Sequence, residues 1–250
     1  MKKVVLWFLF IIVVISGFVA YKAHTSNSKT NSGKTTASHA TGFDKRQYSL
    51  SDAGSLWVVV NKTRQLRPAN YAPKNLVVPN IPLRDNITDT EKYVRADMAP
   101  SLEKMVKDAS AQGVQFNLQS GYRSYQFQVD LYNSYVTTQG QSVADSQSAR
   151  PGYSEHQTGL AADLGGTSDP SCNVADCFAN TAEGKWLVAN AYKYGFLIRY
   201  PSDKVNVTGY IYEPWHIRYI GIGLSTEMHK SHIETLEEFF GLPAAPNYTR

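Results

Sequence analysis

Residues 160–164 read LAADL, with Gly159 before them and Gly165 and Gly166 after. Alternation puts Leu160, Ala162 and Leu164 on one face of an extended segment and Ala161 and Asp163 on the other. A lone carboxylate inside an apolar strand is costly unless it is paired or coordinates a metal. On the strand reading, the fold brings partners to Asp163, and the small residues Gly159, Ala161 and Gly165 leave room for a close approach. On the alternative reading, Asp163 is a turn or cap residue beside Gly165.

Candidate partners are few. Only His156, His216, His229 and His232 lie in the part of the chain that carries folding signals. His156, Asp163 and His216 would make a set of two nitrogens and one oxygen. Such a set leaves the fourth position of tetrahedral zinc to water, whose pKa zinc lowers to about 7. Glu213, in EPWH (213–216), would then take the proton. In a regular strand residues 213 and 216 point to opposite faces; Pro214 argues against regular pairing there, and a kink would let them converge. Each residue also has a plainer reading: His216 as a hydrogen-bonded core residue, Glu213 as a surface acid. His229 and His232 form a rival pair, since residues three apart on a helix are neighbours. No HExxH arrangement accompanies them, so they read as helix surface or packing.

Secondary-structure signals are mixed. LWVVVN (56–61) has the β-branched character of a strand, and prolines 68, 73, 79 and 82 punctuate loops after it. PSLEKMVKDASAQG predicts a helix with Leu102, Met105, Val106 and Ala109 inward and Gly113 as its stop. VQFNLQS (114–120) alternates as a half-buried strand. Ser124 is a candidate N-cap for a helix with Phe127, Leu131 and Tyr135 on one stripe, stopping by Gly140. A helix over 182–194 closed by Gly195, strands at 196–200 and 216–221, and one capped C-terminal helix over 225–241 complete the reading. Helices and strands without regular βαβ alternation predict an α+β fold.

The N-terminal region differs from the rest. Residues 1–47 carry seven Lys/Arg against Asp44 alone, so the remaining residues sum to −2 within a net charge of +4. The basic balance belongs to the tail, and no nucleic-acid partner is expected. Lys2 and Lys3 precede an uncharged, mostly apolar run from Val4 to Tyr21. At ~1.5 Å per residue this run reaches roughly 27 Å, enough to span a bilayer. Cutting after Ala20 would place Phe18 at −3, a poor cleavage signal, and no Cys follows for lipid attachment. The expectation is an uncleaved signal-anchor over 1–21, a polar spacer over 22–47 and one catalytic domain over 48–250. The domain would face the outside of the cell membrane, or be secreted if the segment is cleaved. Cys172 and Cys177 are the only cysteines, and outside the cell they are expected to form a local disulfide.

Three motifs stand in order: SGYRS (120–124), SEHQTGLAAD (154–163), which fits S-x-H-x-x-G-x-A-x-D, and EPWH (213–216), which fits E-x-W-H. Together they resemble the zinc D-alanyl-D-alanine carboxypeptidases of the VanY type and their L,D-carboxypeptidase relatives, over about residues 50–242. The resemblance implies one Zn2+ held by His156, Asp163 and His216, with Glu213 as catalytic base. It also implies Arg123 facing substrate, on the developing oxyanion or the terminal carboxylate, and a small central antiparallel sheet flanked by helices. Ser154 either binds substrate or braces the loop that carries His156. The implied reaction is removal of C-terminal D-alanine from a peptidoglycan stem peptide. Alternatives are L,D-carboxypeptidase action on tetrapeptide stems and a non-catalytic wall-binding module of the same fold.

Overall fold

The structure, a computed structural model, describes residues 43–249. The expected signal-anchor and most of the spacer lie outside the described residues; within them, no helix is long and apolar enough to cross a membrane. Packing starts at Phe43, whose ring lies 5.6 Å from Trp57 and 5.8 Å from Phe239. Lys45 Nζ also donates to the Phe239 carbonyl at 2.5 Å, so two residues of the expected spacer pack on the domain.

In chain order, a two-stranded ribbon comes first, β1 (Leu76–Val77) with β2 (Val94–Arg95), and then helix α1 (Ala99–Ser110). Leu102, Met105, Val106 and Ala109 of α1 are buried, as their spacing predicts. Strand β3 (Phe116–Ser120) leads to α2 (Tyr125–Gln139) and α3 (Gln141–Gln147). Ser124 caps α2 by accepting from the Phe127 N–H at 3.1 Å, and Gly140 ends it at φ 83°. The stripe Phe127, Leu131 and Tyr135 faces a cleft, while Gln128 and Tyr132 are the buried residues of α2.

Strand β4 (Ala161–Gly166) follows, then α4 (Ala182–Asn190), which tightens into a 3-10 turn over Ala191–Tyr194 before Gly195. Strand β5 (Phe196–Ile198), the short α5 (Val205–Thr208), β6 (His216–Tyr219), α6 (Ile222–Lys230) and α7 (Leu236–Phe240) complete the chain. The main sheet has the order β3-β4-β6-β5, antiparallel throughout. The α+β reading with a small antiparallel sheet therefore holds. Leu118, Ala162, Leu164 and Ile217 of the sheet join Leu102, Met105 and Leu187 in the main core.

Two elements differ from expectation. Residues 56–61 form no strand pair with the sheet. Their carbonyls are taken by arginines instead: Arg218 Nη2 donates to Val58 at 2.8 Å, and Arg64 Nε donates to Val59 at 3.1 Å. Their apolar side chains, Trp57 and Val59, fill a second core with Leu224, Met228, Leu236 and Phe239. The C-terminal helix is two helices. His232 turns at φ 54°, and Thr235 restarts the chain as a cap, accepting from the Glu238 N–H at 3.2 Å and donating to its carboxylate at 2.8 Å. A Thr-x-x-Glu box of this kind nucleates a helix of its own.

Candidate metal centre and its cleft

Sheet register builds the centre. Asp163 of β4 lies directly opposite His216 of β6, and a bulge between Leu118 and Ser120 sets Ser120 against Asp163 on the other side. Directly opposed residues of antiparallel strands project to the same face, with Cβ atoms about 5 Å apart. His216 Nδ1 thus reaches Asp163 Oδ1 at 3.0 Å. His156 arrives on a 3-10 turn, Glu155–Thr158, ended by Gly159 at φ 71°. Its Nε2 lies 3.3 Å from Asp163 Oδ2. Its Nδ1–H donates to the Gly121 carbonyl at 2.6 Å. That bond leaves the lone pair on Nε2, as a ligand requires. Residue 121 has to be glycine, because a Cβ there would lie 2.2 Å from the Tyr93 carbonyl oxygen.

One ligand atom from each of His156, Asp163 and His216 fits within a 4.8 Å span, and all three residues are buried. The residues present therefore fit a tetrahedral cation with one position open. Glu213 joins them because the chain turns at Pro214–Trp215, and the His216 N–H donates to the Glu213 carbonyl at 3.2 Å. Its carboxylate then stands 3.6 Å from His216 Nδ1. The turn removes the opposite-face problem of a regular strand.

Arg123 lies directly on the centre. Its Nη2 donates to Asp163 Oδ2 at 2.6 Å and its Nε to Ser120 Oγ at 2.9 Å, and Glu91 stands 3.8 Å away. Ser154 lines the same cleft, two residues before His156 and nearly as buried. The cleft has a volume of about 620 Å3, and α2 contributes Phe127, Leu131 and Tyr135 to its wall. Val174, Ala175 and Asp176 line it too, from the loop closed by the Cys172–Cys177 disulfide, which is formed, with its Cα atoms 5.3 Å apart.

Electrostatics follow from burial and crowding. Burial pushes the Glu213 carboxyl up to about 8; His216 and Arg123 oppose this, while Asp163 adds to it. Burial opposes ionisation of Asp163 too, but His156 and Arg123 outweigh it and hold the group well below the usual carboxylate range. His156 is lowered by burial and by Arg123. His216 is raised to about 9: burial lowers it, but the carboxylates of Asp163 and Glu155 beside the ring favour its charged form and outweigh that. Three carboxylates around one imidazole make a centre that favours a positive charge.

Two sequence features resolve differently. His229 stacks on Tyr192, with ring centroids 3.5 Å apart, and takes no part in the centre. Glu155, which the motif leaves unspecified, is fully buried behind His216. Its partners Arg199 and Arg218 are charged residues inside apolar strand-like runs, FLIRY and HIRYIG. They carry the same signal that singled out Asp163.

The model of the VanY family, D-alanyl-D-alanine carboxypeptidase, matches residues 91–222. The chain belongs to this family. It is 39% identical over 191 residues to the putative carboxypeptidase YodJ of Bacillus subtilis (strain 168), covering 76% of this chain and 69% of that protein. Among solved structures it resembles the LdcB LD-carboxypeptidase, with 39% identity and a TM-score of 0.71, covering 76% of this chain and 87% of that one. It also resembles a variant of the vancomycin-resistance D,D-pentapeptidase VanY in complex with Zn(II), with 29% identity and a TM-score of 0.59, covering 73% and 97%. As a VanY-family member the chain is a hydrolase of the peptidoglycan carboxypeptidase type.

Proposed function

We propose that this VanY-family enzyme uses Zn2+ to remove the C-terminal D-alanine from peptidoglycan stem peptides. The observation that carries the reading is the convergence of His156 Nε2, Asp163 and His216 Nδ1 beside Glu213 at the floor of one cleft. Those three groups would hold the ion. A bound zinc supplies a Lewis acid and lowers the pKa of water to about 7. Glu213 takes the proton from the attacking water and passes it to the leaving amine. Burial raises its carboxyl above the usual carboxylate range, a direction that suits a group that must both accept and release a proton. Arg123, already on Asp163, offers its guanidinium to the developing oxyanion or to the terminal carboxylate of the peptide. Ser154 offers a hydroxyl at the cleft wall.

The bond cleaved has two readings. D,D-carboxypeptidase action on a pentapeptide stem agrees with the family's description. L,D-carboxypeptidase action on a tetrapeptide stem is favoured by the greater likeness to the LdcB LD-carboxypeptidase. Defined pentapeptide and tetrapeptide stems, digested with and without chelator and weighed by mass spectrometry, separate the two. The expected result is loss of one D-alanine that stops when the chelator is added. Hydrolysis indifferent to chelator would overturn the zinc reading. The apolar run Val4–Tyr21 and the disulfide support a placement anchored to the cell membrane with the domain on the wall side. Membrane fractionation and protease accessibility on intact cells test that placement.

A further inference from the structure

Behind the centre lies a carboxylate with no role in the proposed reaction. Glu155 is 1% exposed. Its Oε1 accepts from Arg199 Nε at 2.9 Å and from Arg218 Nη1 at 2.8 Å. Both guanidiniums are fully buried and fixed elsewhere. Arg199 grips Glu237 through two bonds of 2.7 and 3.0 Å, and Arg218 donates to the Val58 carbonyl. With Oε1 anchored, Oε2 faces His216 Nε2 at 3.5 Å. Neither of these two buried atoms has a hydrogen-bond partner among the described residues. On the opposite edge of the same ring, Nδ1 faces Asp163 Oδ1 at 3.0 Å and Glu213 at 3.6 Å.

We propose that Glu155 is a positioning residue: it accepts a hydrogen bond from His216 Nε2–H, so that His216 presents Nδ1, and not Nε2, to the metal. A carboxylate on the far nitrogen fixes the tautomer and the ring plane, and it raises the basicity of the ligating nitrogen. The dipeptide Glu155–His156 thus supplies one ligand and braces the other. Arg199 meets His216 through its backbone N–H, which donates to the His216 carbonyl at 3.2 Å, while its guanidinium, paired with Glu237, holds Glu155 Oε1 and balances the charge.

This inference rests on the zinc reading, and the experiment separates the two. Zinc affinity is measured by competition with a chromophoric chelator in wild type, Glu155→Gln and Glu237→Gln. Each substitution removes one negative charge from the same buried cluster, but only the first changes the group facing His216: both arginines donate to Oε1 and so claim the amide oxygen, which leaves the amide NH2, a donor, toward Nε2. The expected result is zinc binding weakened about 10–100-fold in Glu155→Gln and wild-type binding in Glu237→Gln. Equal losses in both variants, or none in Glu155→Gln, would overturn the assignment. A wild type that binds no zinc would overturn the reading of the site itself, and this inference with it. If Glu155→Gln does not fold, the zinc-loaded wild type decides. Nitrogen-15 spectra of its histidines must show the His216 ring proton on Nε2, and a proton on Nδ1 refutes the proposal.

Discussion

Two buried charged clusters stand back to back in this protein, and they are built on opposite terms. At the rear, Arg199, Arg218, Glu155 and Glu237 balance two positive charges with two negative ones, and their bonds run from 2.7 to 3.0 Å. At the front, His156, Asp163, His216 and Glu213 meet at 3.0 to 3.6 Å, and one carboxyl is driven up to about 8. Charges out of water are tolerated when each is closely paired and hydrogen-bonded. The rear pairs each of its charges closely and fixes the sheet to the wrapping segment at Leu56–Val58 and to α7. The front leaves its groups aimed at a common point instead. This incomplete internal pairing is held in place by a charge-balanced neighbour.

Substitutions break the comparison in order of expected effect. Glu213→Ala should lower kcat by about 100- to 10,000-fold, the usual worth of a general acid–base group, while zinc content by metal analysis stays that of the wild type. Unchanged hydrolysis would remove Glu213 from its role. Arg199→Met strips the rear cluster of one partner and should cost about 3–5 kcal/mol in denaturant unfolding, because Glu237 is left buried and uncompensated. Glu213→Gln at the front should cost far less in the metal-free protein. If the two costs are equal, the contrast between the clusters is wrong.

The pH dependence sharpens the same contrast. Glu213 is raised in the fold from an ordinary value of 4.5 to about 8. Its contribution is therefore fully present below about 4.5 and is lost as pH rises through about 8. His216, raised from 6.5 to about 9, acts in the same direction at higher pH. The metal-free protein should lose stability across that range by thermal melting, and Glu213→Gln should flatten the lower part of the slope. Replacing Cys172 and Cys177 with Ser opens a short loop at the cleft lip; the chain-entropy argument gives a loss of about 2 kcal/mol, read from the denaturation midpoint. The mildest change is His229→Ala. Losing the stack on Tyr192 should cost about 1 kcal/mol and leave zinc binding untouched, since that histidine lies outside both clusters.

Much of the front cluster was legible in the chain because charge in an apolar alternating run is conspicuous. Asp163 in LAADL is the clearest case, and the scarcity of histidines narrowed its partners to His156 and His216. Arg199 in FLIRY and Arg218 in HIRYIG carry the same signal, yet nothing near them in sequence resembles a ligand set. Their partners, Glu155 and Glu237, lie 44, 63 and 38 positions away. The helices over 99–110 and 125–139 were readable from spacing and caps. The stripe on the second was readable as a face, but periodicity does not say whether a core or a cleft covers it. The break at 231–235 was signalled by Thr235 and Glu238, but a continuous apolar period concealed it.

The sequence by itself determined which chemistry was available: two imidazoles, two carboxylates and a guanidinium in ordered motifs, and strands and helices enough for an α+β body. Residue type and local periodicity are written in the chain, so they can be read there. Only the tertiary structure decided that Asp163 and His216 are cross-strand partners, that a turn at Pro214 swings Glu213 onto their face, and that Glu155 stands behind His216. Strand register and the packing of distant segments set those distances. Both are long-range consequences of burying the whole core at once, which no local stretch of residues encodes.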